Sequence, residues 1–242
     1  MPFQHETIQC QNPTNNYFID RNFVVVRCEF DNKHKKAPIF YEKAWDLARQ
    51  VNPHKANDAT SIRDKERLTL DALGGVLAEH GWYYYINRTF GKNTVEHTEF
   101  NSATAQIDLR LSNGKTIEVR SSFPRNGVKF AICNERYNFK NICKYDNLYK
   151  PSEIDKDFFA SVLFETQKND LFSSEIIVFY LIGGSTKEMM MNNHLSFVTD
   201  LVAEDDLTKE KTRYKVIYLK DALDISGFEE YMNTMGYIKI GM

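Results

Sequence analysis

The chain of 242 residues has no apolar run approaching the roughly 20 residues that a membrane-spanning helix needs. Its longest, Ile176 to Ile182, is of strand length, so no membrane embedding is expected. The opening residues, MPFQHETIQCQNPTNN, lack the cationic-then-apolar order of a secretory signal, which makes the expected address cytoplasmic. The four cysteines, Cys10, Cys28, Cys133 and Cys143, include no C-x-x-C pair and have no histidine at a ligand-like offset. That spacing disfavours structural zinc and favours buried free thiols. Internal repeats and low-complexity tracts are also missing. At 42% hydrophobic and 13% aromatic, the composition excludes disorder, collagen and coiled coil, and suits one large domain or two small ones.

Charge is nearly balanced overall, 31 basic residues against 33 acidic ones, but it is unevenly placed. Between positions 110 and 150 there are nine bases (Arg110, Lys115, Arg120, Arg125, Lys129, Arg136, Lys140, Lys144, Lys150) and three acids (Glu118, Glu135, Asp146), a net of +6. Between 151 and 210, twelve acids face four bases, a net of -8. Mutual attraction within one fold accounts for this split. A basic surface for phosphates, interleaved with Phe123, Phe130, Tyr137, Phe139, Tyr145 and Tyr149, is the functional alternative.

Patterning predicts a strand over 22–30 and an amphipathic helix over 38–51, inside an N-terminal elaboration spanning residues 1–60. Ser61-Ile62-Arg63-Asp64 resembles a capping box and opens a helix carrying Leu70, Leu73 and Leu77, which Gly81 is expected to end. The aromatic stretch 82–90 (WYYYINRTF) reads as a strand. Strands are also expected over 104–111, 115–122, 127–133, 158–165, 175–182 and 214–219, with a last helix over 225–235 and irregular basic chain over 134–156.

The segment TAQIDLRL-SNG-KTIEVRSS admits two hairpin registers. A two-residue Asn113-Gly114 turn would mix charge and oil on both faces. A three-residue Ser112-Asn113-Gly114 loop, with glycine in the left-handed conformation, separates them. Asp108 then opposes Glu118, Gln106 opposes Arg120 and Arg110 opposes Thr116, while Ile107, Leu109, Leu111, Ile117 and Val119 share the other face. Opposed like charges are destabilising unless something positive lies between them. Two neutralisers are open on the pattern alone: a divalent cation, or a salt-bridge ladder through Arg110 or Arg120.

The run Gln106-Ile107-Asp108-Leu109, the glycine-containing turn and Ile117-Glu118-Val119-Arg120 resemble the D-x(n)-E-x-K core of the PD-(D/E)XK, or restriction-endonuclease-like, nuclease superfamily. Upstream, residues 71–83 (DALGGVLAEHGWY) are similar to that family's first helix and its glycine-aromatic entry into a strand. The resemblance covers about residues 63 to 122, with 157–163 as a later core strand. It implies an α/β fold for residues 61–242: a restriction-endonuclease-like core with a central mixed β-sheet flanked by helices.

The function implied is a Mg²⁺-dependent DNA endonuclease, a hydrolase most like a prokaryotic type II restriction enzyme, with Mn²⁺ as substitute metal. Asp108, Glu118 and the main-chain carbonyl of Val119 are the implied metal ligands. The first helix often contributes an acid: Glu66 matches on the leucine stripe, and Asp71 lies nearer the usual distance from the glycine. Arg120 stands where the family has lysine; a guanidinium stabilises developing phosphorane charge but cannot act as a base. Double-stranded DNA is the expected partner, with Arg110, Arg125, Lys129, Lys140 and Lys144 along its backbone. Cutting two strands takes two sites, so the family implies a homodimer. The alternatives are a nucleic-acid-binding module on a degenerate nuclease fold, and an interaction protein whose hairpin is only a charged face.

Other signals are weaker. Gly183 to Lys187 lacks phosphate-loop spacing and reads as a strand-to-helix turn, and Met189 to Met191 as packing. The NKHKK cluster reads as solvated loop. His80 and His97 flank the site in sequence; surface histidine is the default reading and proton carrier the alternative.

Overall fold

The segment FFASVLF offers no polar alternation, so it needs cover on both faces. It forms β7 (Phe158–Phe164), buried at every position, in the interior of a seven-stranded sheet. The computed structural model describes residues 1–11, 20–50, 64–98, 107–146, 153–202 and 211–240. Along these run β1 (Phe3–Gln9), β2 (Asn22–Asp31), α1 (Ala37–Gln50), α2 (Lys65–Phe90), β3 (Val95–His97), β4 (Leu109–Leu111), β5 (Thr116–Ser122) and α3 (Val128–Cys133). After β6 (Lys140–Tyr145) and β7 come β8 (Ile176–Thr186), α4 (Lys187–Met191), β9 (Ser196–Leu201), β10 (Thr212–Tyr218) and α5 (Ile225–Thr234). The large sheet has the order β1-β2-β8-β7-β5-β4-β3, and a small one the order β6-β10-β9. Only β5 and β7 are parallel within the large sheet, making it mixed.

Alternation along the strands divides the interior. Phe158, Ala160, Val162 and Phe164 join the cluster built with α2 and α5, whereas Phe159 and Leu163 join α3, Cys143 and Ile217 on the other face. Helices α1, α2 and α5 therefore lie on one side of the sheet, and α3 with the small sheet on the other. The chain is an α/β fold. Its first two strands extend the same sheet through β2 pairing with β8, while the expected boundary near residue 60 falls outside the described residues.

Several sequence expectations are corrected. Helix α2 does not stop at Gly81 but continues to Phe90, so the aromatic stretch is helical. Trp82, Tyr85, Ile86, Thr89 and Phe90 are buried, at helical spacing. Gly81 is present because the helix presses on β8: an added Cβ would stand 2.8 Å from Phe179 Cε2 and 3.1 Å from Leu181 Cδ2. Asp64 caps α2, its carboxylate accepting from the Glu66 amide; Ser61 to Arg63 of the expected capping box lie outside the described residues. Residues 128–133 form α3 rather than a strand, and part of the stretch expected to be irregular is β6. Strands β1 and β9 went unread because they carry little apolar alternation.

Cys10 and Cys133 are joined in a disulfide, 123 residues apart in sequence, against the expectation of free thiols. The fold sets the end of β1 beside the end of α3 with a Cα separation of 4.9 Å, within disulfide reach. Cys28 and Cys143 are the buried thiols expected, both pushed up to about 12 by burial. Disulfides are uncommon in reducing compartments, so the bridge weighs against a cytoplasmic address. Among the described residues, no helix is long and apolar enough to cross a membrane.

Candidate active site

The hairpin takes the register that the hydrophobic pattern selects. Leu109 pairs with Ile117 and Arg110 with Thr116. The loop closes as Gly114, at φ +87°, donates its N–H to the Leu111 carbonyl at 2.8 Å. Continuing that register by one pair sets Asp108 opposite Glu118. Asp108 lies just before β4, and its Oδ2 accepts the Val119 N–H at 2.7 Å. In a continued ladder that N–H would go to residue 107, whose carbonyl instead accepts the Thr98 hydroxyl. The acid thus substitutes for backbone at the point where the two strands part. Gln106, expected opposite Arg120, is outside the described residues.

Glu118 and Arg120 alternate with Ile117 and Val119, so they face the small sheet rather than α2. Arg120 Nη2 reaches Glu118 Oε1 at 2.9 Å and Glu153 Oε1 at 3.2 Å, and its guanidinium lies over the Tyr145 ring at 5.0 Å. Lys156, whose side chain is 1% exposed, places Nζ 3.5 Å from Glu118 Oε2 and 3.9 Å from Glu153 Oε1. Glu153 also accepts the Tyr145 N–H at 2.8 Å. Burial works against the Arg120 charge, but Glu118 in particular holds its pKa above the ordinary value. Both neutralisers weighed from sequence bear on this geometry: guanidinium does engage Glu118, yet Oε2 of that carboxylate has no hydrogen-bond partner.

Asp108 differs from Glu118. Burial, followed by the charges of Glu118 and Glu79, drives its carboxyl well above the usual range, and the Val119 N–H and Arg120 only partly oppose this. Glu79, on α2, is the helix acid whose field reaches the pair. It is engaged by His97 Nδ1 and by Lys43 Nζ, the latter at 3.3 Å. Neither acid expected from α2 takes this position. Glu66 is exposed in the first turn, thirteen residues and about 20 Å along the helix from Glu79. Asp71 is instead paired with Lys168 at 2.7 Å. Glu79 stands within residues 71–83, the segment that carries the upstream part of the resemblance.

The expected phosphate contacts are dispersed. Lys144 is committed to Asp155 at 2.6 Å, and Lys140 donates to the Asn138 carbonyl at 2.8 Å. Arg110, Arg125 and Lys129 are exposed and carry no ion pair among the described residues. Arg120–Glu153, Lys144–Asp155 and Lys115–Asp157 join the basic segment to the acidic one, so part of the charge split is internal attraction. Glu153 and Lys156 were missed by sequence reasoning; the only signal was the EIDKD run opening the acidic segment.

His80 is brought down to about 4, first by burial and then by His97, so it is neutral at physiological pH. Gly183 and Gly184 belong to β8, and α4 opens at Lys187 with Thr186 as its cap.

Among the described residues, no group of three or more His, Cys, Asp or Glu side chains is arranged to hold a metal ion. Two neighbouring carboxylates, one with an oxygen that has no hydrogen-bond partner although Lys156 Nζ lies 3.5 Å from it and one whose pKa burial and acidic neighbours drive up, still fit a hard divalent cation, because Mg²⁺ takes one or two carboxylates and keeps waters. The Val119 carbonyl lies on the same edge of β5 as its N–H, the edge that Asp108 approaches. No family model, curated protein or solved structure matches the chain.

Proposed function

We propose that the chain is a Mg²⁺-dependent DNA endonuclease with a restriction-endonuclease-like core, most like a prokaryotic type II restriction enzyme. The observation that carries this reading is the juxtaposition of half-buried Asp108 with buried Glu118 at the parting of β4 and β5, with the Asp108 pKa driven up. The order α2, β3, β4, β5, α3, β6, β7, with β7 parallel to β5, supports it as a scaffold.

In this reading Asp108 and Glu118 hold the cation, with the Val119 carbonyl as a further donor. The cation supplies Lewis-acid polarisation of a phosphodiester and a more acidic bound water. Arg120 and Lys156 hold Glu118 in place, and the Val119 N–H orients Asp108. Arg120 cannot be the base, since guanidinium stays protonated. Arg110, Arg125 and Lys129 remain to meet duplex phosphates.

The test is cleavage of duplex DNA by purified protein with Mg²⁺ or Mn²⁺. Asp108→Ala and Glu118→Ala should each abolish cutting while circular dichroism reports an intact fold. Undiminished cutting by both variants would refute the assignment.

The engagement of Glu118 by two cations favours a second reading, a DNA-binding module on a degenerate nuclease fold. It requires salt-sensitive DNA binding with neither cleavage nor metal affinity, and calorimetric Mn²⁺ binding that is lost in Asp108→Ala excludes it.

A further inference from the structure

The segment that follows α5 ties itself to the hairpin that carries the carboxylates. Gly236, at φ +86°, ends the helix: its N–H donates to the Asn233 carbonyl at 2.9 Å, and the Tyr237 N–H donates to the Met232 carbonyl at 3.1 Å. That turn sends Tyr237 to the Ser112-Asn113-Gly114 loop. Its hydroxyl accepts the Asn113 N–H at 3.0 Å and lies 2.9 Å from Ser112 Oγ, while the Asn113 side-chain amide reaches Met235 Sδ at 3.7 Å. Farther on, Lys239 pairs with Glu229, which also accepts the Tyr85 hydroxyl at 2.7 Å, and the Ile240 N–H donates to the Thr89 carbonyl at 2.9 Å. Thr89 is in the last turn of α2, where a carbonyl has no partner within the helix. The circuit closes through the loop itself. Its Ser112 N–H donates to the Thr94 carbonyl at 2.9 Å, and the Thr94 hydroxyl to the Phe90 carbonyl at 3.2 Å.

The hairpin is one that needs such a hold. Strand β4 has three residues and pairs with β5 at two of them, Leu109 with Ile117 and Arg110 with Thr116. Past that ladder the Asp108 carboxylate takes the Val119 N–H. Whatever fixes the loop therefore helps to fix how the two acids meet. We propose that residues 235–240 are a strap that sets the β4–β5 hairpin, with Tyr237 as a positioning residue of the Asp108–Glu118 site. The hydroxyl acts through the loop and β4, five residues from Asp108 at its nearest bond. Polar contacts do much of the holding, since Ile238 is 78% and Ile240 54% exposed, so little apolar burial resists lifting of the strap while the rest stays folded. The inference rests on the site reading above and adds a residue to it.

The experiment is native-state hydrogen exchange on the whole chain, without metal or DNA, followed by cleavage kinetics. In Tyr237→Phe, which keeps the ring and loses the hydroxyl, the Asn113 and Val119 amides should exchange about tenfold faster, the effect of losing two ordinary hydrogen bonds. Amides of β7, in the sheet interior, should exchange as in the wild type. An unchanged Val119 rate overturns the proposal, because the bond to Tyr237 then matters only to the loop. So does equal acceleration at Asn113, Val119 and β7, which marks a loss of global stability alone. On duplex DNA with Mg²⁺, Tyr237→Phe should lower kcat by about tenfold and leave KM unchanged, since the hydroxyl orients the site and meets no substrate. An unchanged kcat in a protein that cuts also overturns the proposal. If the wild type does not cut DNA while the exchange pattern holds, the strap stands and only the nuclease assignment falls.

Discussion

Replacing Asp108 with Asn should make the protein more stable while destroying its candidate site. Opposed side chains on an antiparallel pair lie about 5 Å apart, and at an effective dielectric of about 20 two unit charges at that distance repel by about 3 kcal/mol. Attraction to Arg120 offsets part of this. The amide oxygen of Asn still accepts the Val119 N–H, so that hydrogen bond is kept. A net gain of about 1–2 kcal/mol at neutral pH follows.

The pH dependence fixes the cause. Burial first, then Glu118 and Glu79, hold the Asp108 pKa above its unfolded value. Below that unfolded value, about 3.9, the carboxyl is protonated in both states and contributes no difference. As pH rises past it, the unfolded chain ionises and the folded one resists. The wild type therefore loses stability relative to the Asn variant until the folded pKa is passed, after which the gap is constant. Urea unfolding at about pH 3.5 and about pH 8 should show coincident midpoints in the first case and a higher midpoint for the variant, at unchanged slope, in the second. Added Mg²⁺ should raise the wild-type midpoint and leave the variant where it is. A variant less stable than wild type at both pH values would show that the two acids do not repel, and the reasoning would fail.

Gly81→Ala should lose about 1–3 kcal/mol in urea unfolding, although alanine is the better helix former by about 1 kcal/mol, because the new methyl meets the fully buried Phe179 ring; a stabilised variant would show that α2 and β8 are not in that contact. Arg120→Lys should also destabilise, by about 1–3 kcal/mol, since one ammonium cannot span Glu118 and Glu153 while lying flat on Tyr145. Unchanged stability with improved cleavage would mean instead that lysine is tolerated there and chemically preferred.

The hairpin was legible because a strand pattern of period two allows only one register that keeps oil on one face, and Gly114 supplied the turn chemistry. Helix α2 was not, because WYYYINRTF has the aromatic content of a strand, and only the burial of Trp82, Tyr85, Ile86 and Thr89 at helical spacing resolves it. The helix acid was not legible either: the pattern offers Glu66 on the leucine stripe and Asp71 nearer the glycine, and nothing in it singles out Glu79. Glu153 and Lys156 were beyond the reach of pattern altogether. They arrive beside Glu118 only because β7 lies parallel to β5, a pairing that needs a long crossover. The Cys10–Cys133 bridge is equally a product of tertiary placement, and no spacing rule encodes it.

The opposed charges of the two long segments have a consequence for where any phosphate binds. Glu153, Asp155 and Asp157, at the entrance to β7, take up Arg120, Lys144 and Lys115 in turn. The cationic run is thus partly neutralised where it meets the sheet and stays open at Arg110, Arg125 and Lys129. At the site itself, three acids (Asp108, Glu118, Glu153) face two cations (Arg120, Lys156). Burial and its acidic neighbours, Glu118 and Glu79, force the Asp108 carboxyl toward protonation. Proton uptake and cation binding are alternative ways of relieving the same imbalance. In the proposed metal-dependent reading, the site would exchange a proton for a metal at the residue that lies at the parting of the strands.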